Sequence, residues 1–182
     1  MPLQKTVWIV SDDTSRTEQS TALAQYITSE ARLLSVDDIG GAGDLATYLA
    51  AQNLPVTWPD IALGTGERTA PILLAIKSNN PTTKIISILD PGQQHASFDA
   101  IITPSYEPHP QGVNILTTTG LINRITPEYL AHIREEYAAG AYAPLSERNL
   151  PSPRYAVLIG GRHVAGNITK EDALHLLTTL TT

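Results

Sequence analysis

The run Gly64-Thr65-Gly66-Glu67-Arg68-Thr69 sets two glycines and an arginine where an apolar stretch, residues 61–63, gives way to an apolar pattern of helical period. That combination suits an anion. Glycine lets backbone approach a ligand closely. A helix N-terminus presents unpaired N–H groups and the positive end of its dipole. Arg68 adds a fork of donors shaped for phosphate or carboxylate. The plainer reading is a tight strand–helix turn beside a solvated arginine, and both stand at this point. Gly160, Gly161, Arg162 and His163 repeat the arrangement after the run "YAVLI". Neither turn matches the phosphate-loop or the Gly-x-Gly-x-x-Gly dinucleotide pattern, which argues against an ATPase or a dehydrogenase. Acid–base chemistry has its candidates in carboxylates near strand ends. Asp12 and Asp13 follow the first apolar run, and Glu18 comes soon after; loop and capping roles compete with catalysis. Asp90 closes "KIISILD", where it reads either as a base or hydroxyl-binding group or as the first residue of an Asp-Pro turn.

Elements to hold these residues can be read from alternating periods. Strands are expected at 6–11, 32–36, 60–64, 84–90, 100–103 and 113–118, and helices at 17–30, 43–52, 68–80 and 126–139. Asp44 is the expected N-cap of the second helix. Thr126 followed by Pro127 marks the start of the fourth. Continuous Val/Ile/Leu strands alternating with helices indicate an α/β, Rossmann-like parallel sheet covered on both faces. Asp37 and Asp38, ahead of "IGGAG", read as a solvated loop. Residues 138–154 carry three prolines and no period, as a linker would. Beyond it come a strand at 155–161 and a helix at 169–180 with a Thr-x-x-Asp cap signal. One strand and one helix cannot bury a sheet. The expected organisation is therefore a domain at 1–140, a linker at 141–154, and at 155–182 the start of an incomplete second domain.

Composition narrows the function classes. The chain has 182 residues, 42% of them hydrophobic, enough for a sizeable core. A net charge of −6 argues against a broad nucleic-acid face. Having no cysteine, the chain has no disulfides, thiolate metal sites or cysteine nucleophiles. The five histidines (95, 109, 132, 163, 175) show no metal-ligand spacing, so no metal site is expected. His132 and His175 fall on helices as surface residues. Trp8 and Trp58 flank strands and read as packing residues. No secretory signal or membrane-spanning run is visible, and a soluble protein is expected.

Five segments in register are similar to one family: "WPDIALGTGERTAP" (58–71), "IISILDP" (85–91), "FDAIITP" (98–104), "NILTTTGLINRITPEYL" (114–130) and "PRYAVLIGG" (153–161). The chain resembles the mitochondrial-fission "elongated mitochondria" (ELM-like) family, over nearly its whole length. That family in turn resembles GT-B glycosyltransferases, such as the enzyme that adds N-acetylglucosamine to lipid I. The resemblance implies a GT-B-type N-terminal domain. It places Gly64, Gly66, Arg68 and Thr69 on the turn facing the acceptor side of the cleft. It matches Asp90 to a Leu-Asp-Pro strand end and Thr119-Gly120 to a Thr-Gly turn. Gly160, Gly161, Arg162 and His163 would lie near a donor's diphosphate.

Two features depart from the family pattern. The first strand–helix loop, "SDDTSRTEQ" (11–19), has no glycine, although Gln19 matches the family's glutamine. The loop also has no histidine, which leaves Asp12, Asp13 and Glu18 as its acid–base candidates. The Arg-rich segment of the donor-binding half is absent. The resemblance therefore implies an acceptor-side domain, inactive alone: a truncated chain, a short reading frame or one subunit of a split enzyme. The alternatives are a non-catalytic interaction module and a small-molecule-binding domain. Expected partners are a nucleotide-sugar with a lipid-linked or small-molecule acceptor, a peripheral membrane contact, and a second copy or a separate donor-domain partner. No cofactor is expected, and the implied location is cytoplasmic, peripheral to the inner membrane.

Overall fold

The computed structural model describes residues 5–12, 14–52, 57–139 and 168–181. It contains two compact units, Met1–Leu130 and Ala131–Thr182. Asp13, the proline-rich segment 141–154, the expected strand at 155–161 and the Gly160–His163 turn lie outside the described residues.

The first unit is built on six parallel strands: β1 (Val7–Ser11), β2 (Ala31–Ser35), β3 (Ile61–Thr65), β4 (Lys84–Ile88), β5 (Ala100–Pro104) and β6 (Ile115–Thr118). Their order across the sheet is β2-β1-β3-β4-β5-β6, every neighbouring pair parallel. The expected Rossmann-like α/β sheet is thus present. Right-handed crossovers dictate which helix covers which face. The chain steps outward from β1 to β2 through α1 (Thr14–Gln25). It then crosses back over β1 to β3 through α2 (Val36–Ala42) and α3 (Leu45–Ala51), so these pack on the opposite face with α4 (Ala70–Asn79).

The two faces are unequal. On the α2–α4 side, Trp8, Val10, Leu34, Leu73, Ile76, Ile85, Phe98 and Ile101 form one buried cluster. On the α1 side the buried cluster is smaller, with Val7, Ile9, Ala24 and Leu63 at its centre. Trp8 stacks against Trp58 with ring centroids 5.6 Å apart, the packing role expected of both.

Local chemistry explains the element ends. Asp44 caps α3, its Oδ1 accepting from the Thr47 N–H at 2.7 Å. Thr126 caps α5 (Pro127–Ala138), accepting from the Tyr129 N–H at 3.1 Å. In the second unit Thr169 and Asp172 cap α6 (Lys170–Thr181) reciprocally, at 2.9 and 3.1 Å. The stretch expected as a solvated loop at Asp37 and Asp38 is instead helix α2. Ser35 accepts from the Asp38 N–H at 3.2 Å, Ile39 is buried, and Gly43 ends the turn at a φ of 92°. His132 and His175 are exposed on α5 and α6.

No helix crosses from β4 to β5. The chain descends through a single 3₁₀ turn, His95–Ser97, and is fastened at the bottom by Asp99. The Asp99 carboxylate accepts from Lys77 and Lys84, each at 2.9 Å, and from the Ile85 N–H at 3.0 Å. Burial pushes this carboxyl up, but those three hydrogen bonds outweigh it and hold it below the ordinary aspartate range. A lowered folded value means stability that is present above the unfolded pKa of about 3.9 and lost as pH falls through the folded value. Asp99→Ala is expected to cost about 1–3 kcal/mol at neutral pH. Urea unfolding at pH 7 and again near pH 2 checks this: the wild-type advantage should shrink in acid, and an advantage equal at both pH values would contradict it.

Candidate functional site

Strand order reverses between β1 and β3, and ligands of open α/β sheets sit beyond the strand ends at such a switch point. Asp12 arrives there from the β1–α1 connection, Arg16 from the first turn of α1, and Gly66 and Arg68 from the β3–α4 connection. Hydroxyl pairs hold the walls in place. Ser20 on α1 bonds Thr65 at the end of β3 at 2.7 Å, and Ser11 bonds Thr17.

Asp12 is the unusual group. Its side chain is 2% exposed, and among the described residues neither carboxylate oxygen accepts a hydrogen bond. Its ion-pair partner is Arg16, with Nη1 at 3.5 Å, one helical turn on. The buried Oε1 of Gln19 also has no hydrogen-bond partner among the described residues. Arg68 reaches across the switch point: Nη1 donates to the Asp12 carbonyl at 3.3 Å and Nη2 to Asp37 at 2.8 Å. Its side chain remains 54% exposed, so solvent ions have access to the guanidinium.

The α4 end contributes less than its sequence promised. The Gly66 N–H donates to the Ile88 carbonyl at 2.8 Å, the Thr69 N–H to Gly66 at 3.3 Å and the Ala70 N–H to Glu67 at 3.3 Å. Position 71 is proline and has no N–H. The Thr69 hydroxyl is buried and donates to the Gly66 carbonyl at 2.9 Å. The Gly66, Thr69 and Ala70 amides are thus already engaged, while the Arg16 and Arg68 guanidinium groups are half exposed. Gly66 adopts a φ of 78°, and a Cβ there would stand 3.2 Å from Arg16 Nη1. Gly64 serves packing, letting Thr69 and Leu73 close against the strand.

Beside the switch point, a depression of about 390 Å³ lies between Glu67 and Arg68 on one wall and Pro91, Gly92 and Gln93 on the other. Asp90, at its margin, accepts from the Gly92 N–H at 2.8 Å and sits 2.7 Å from His95 Nε2. Partial burial works to raise this carboxyl. The His95 and Gly92 hydrogen bonds, with the charge of His95 when protonated, prevail and hold it below the ordinary range. The Asp90–Gly92 bond closes an Asx turn over Pro91, one of the two roles read for Asp90.

The other candidates lie elsewhere. Glu18 pairs with Arg124 at 3.5 Å. Thr119 and Gly120 are exposed beyond the end of the edge strand β6, where Thr118 Oγ1 donates to the Gly120 carbonyl at 2.7 Å. Arg16 and His95 were missed by the sequence reading. Arg16 had a signal, its i+4 spacing from Asp12, whereas nothing local announced the contact of His95 with Asp90. Among the described residues no group of three His, Asp or Glu could hold a metal ion, and no helix is long and apolar enough to cross a membrane.

A family model described as "Mitochondrial fission ELM1" matches residues 14–182. The chain belongs to the mitochondrial fission ELM1 family. No curated protein and no solved structure matches it. The ELM1 family match spans both α1, with Arg16 and Gln19, and the β3–α4 turn with Arg68, so most of the switch-point crevice lies within it.

Proposed function

We propose that this chain is the acceptor-side domain of a GT-B-like, nucleotide-sugar-dependent glycosyltransferase. The observation that carries the reading is the Asp12 carboxylate, buried at the switch point without a hydrogen-bond donor among the described residues, with Arg16 and Arg68 beside it. An unsatisfied buried acceptor costs about 1–3 kcal/mol. An acceptor hydroxyl removes that cost by donating to Asp12. In the transfer step the hydroxyl oxygen bonds to the anomeric carbon of the donor sugar, the bond to the diphosphate breaks, and the proton passes to Asp12. The arginines suit the anionic part of the acceptor or the leaving diphosphate. Base and ribose contacts of the donor, and the diphosphate contacts read at Gly160, Gly161, Arg162 and His163, belong to the second half of such an enzyme. The reading extends to a cytoplasmic protein that meets a lipid-linked acceptor at the membrane surface.

Calorimetry with a panel of uridine-diphosphate sugars, run alongside light scattering, tests the reading. Affinity in the millimolar range or weaker is expected, and no turnover by the chain alone. Micromolar binding by a strict monomer would overturn the half-enzyme reading. Arg68→Ala should weaken binding of these anions about 10–100-fold by loss of a charged hydrogen bond. Stability should change by less than about 1 kcal/mol, because the Asp37 pair it breaks is exposed. Unchanged affinity would remove Arg68 from the site.

A second reading, a non-catalytic interaction module, has its own support. Val113, Leu116, Leu121 and Ile125 are exposed before, on and after the edge strand β6, and residues 111–123 contain no charge. Self-association in light scattering with no sugar-nucleotide binding would favour it.

A further inference from the structure

The descending segment between β4 and β5 holds a second set of chemical groups, centred on His95. Here Asp90 serves to orient His95. Its Oδ1 is an ionised acceptor already engaged by the Gly92 N–H at 2.8 Å, so the 2.7 Å contact requires a proton on His95 Nε2. In the neutral ring, Nδ1 then carries the lone pair, and among the described residues it has no hydrogen-bond partner. The backbone accepts strain to hold this geometry. Leu89 and Gln94, on either side of Asp90 and immediately before His95, stand at φ values of 64° and 54°. Neither is glycine, and such conformations cost about 1–3 kcal/mol each and gather at functional sites. The segment is also tied down. The Leu89 N–H donates to the Ile102 carbonyl at 2.7 Å, and Asn114 Nδ2 donates to the carbonyls of His95 and Phe98 at 2.8 and 2.9 Å.

His95 lines a hollow of about 700 Å³ between residues 94–98 and 111–114. That volume suits a small organic ligand. The lining contains no Asp, Glu, Lys or Arg, so the hollow selects against nucleotides and other anions. Phe98 lies buried at its base, and Val113 on its wall is fully exposed, an apolar surface that a ligand would cover.

We propose that this hollow is a binding site for a neutral hydroxyl compound with an apolar body, a small alcohol or phenol, whose O–H donates to His95 Nδ1. The hollow shares no lining residue with the depression beside Arg68, whose guanidinium calls for an anion. His95 receives the hydroxyl, Asp90 and Asn114 set the ring and its backbone, and Val113 takes the apolar body.

Nuclear magnetic resonance of the whole chain tests each part, with phenol and cyclohexanol as probes and inorganic phosphate as the control anion. In the free protein the His95 nitrogens should report the Nε2–H tautomer; the opposite tautomer would overturn the proposal before any ligand is added. Phenol or cyclohexanol should give saturable shifts at the His95 ring and the Val113 methyls, and phosphate none at either. His95→Gln should weaken the binding about tenfold or more, the worth of the hydrogen bond to Nδ1. Asp90→Asn should shift the tautomer population toward Nδ1–H. Val113→Asp, at a fully exposed position that leaves the fold intact, should abolish binding of both probes and keeps the test valid if the loop variants do not fold. Saturable binding that is indifferent to Val113→Asp, or no shift at His95 at all, would remove the site.

Discussion

Gly64→Ala is expected to destabilise the first unit by about 3 kcal/mol, toward the upper end for overpacking. For a chain of this size that lowers the melting temperature by roughly 6–12 °C. Gly64 lies in β3, paired with Val10 of β1 and Ser87 of β4, so it can shift toward neither side. A Cβ there would stand 2.5 Å from Thr69 Oγ1, 2.8 Å from Thr69 Cβ and 3.0 Å from Leu73 Cδ1. Thr69 cannot swing away, since it is buried and its hydroxyl is bonded to the Gly66 carbonyl. Leu73 is fully buried in the larger core cluster. The first turn of α4 would have to lift off the sheet, taking Arg68 out of reach of the Asp12 carbonyl. Gly120→Ala is the control, because a Cβ there meets nothing within 4 Å; it should change stability by no more than about 0.5 kcal/mol. If the two variants melt within about 2 °C of each other, the packing account of Gly64 is wrong.

That glycine shows where sequence reasoning reached and where it stopped. A glycine at a strand–helix turn is ambiguous between letting a ligand approach and letting a helix approach. Only the position of Thr69 resolves it. The sheet itself was legible because strands buried on both faces are written as runs of Val, Ile and Leu, and such runs depend on nothing distant. The caps at Asp44, Thr126 and Thr169 were legible for the same reason: donor and acceptor lie within four residues. Helix α2 was not. Its Asp, Asp, Gly, Gly composition favours a loop, and the burial of Ile39 against the sheet overrides that preference. The site was half legible. Asp12, Gly66 and Arg68 follow strand ends, which in this fold class converge by topology. The coupling of Asp90 to His95 depends on left-handed backbone at Leu89 and Gln94, which no propensity would assign to those residue types.

Asp12→Asn is expected to make the protein more stable and its crevice less able to hold a hydroxyl. As a carboxylate, Asp12 is buried and receives no hydrogen bond among the described residues, a state that costs several kcal/mol for an isolated charge. What offsets that cost is small. Arg16 is half exposed at 3.5 Å, a geometry worth about 0–1 kcal/mol. The N-terminal end of α1 adds about 0.3–1 kcal/mol for a negative charge beside it. Asparagine keeps the shape and removes the buried charge, so a gain of about 1–2 kcal/mol is expected in urea unfolding at neutral pH. The functional consequence runs the other way. Glycerol 3-phosphate offers a phosphate to the arginines and hydroxyls to Asp12, while inorganic phosphate offers only the first. The ratio of the two affinities should fall about tenfold in Asp12→Asn, with phosphate itself bound as well as before or better. A stabilising substitution that costs binding marks a residue kept for function rather than for the fold. Should Asp12→Asn instead lose more than about 1 kcal/mol while the affinity ratio stays fixed, Asp12 is a structural carboxylate serving the start of α1, and the crevice has no base.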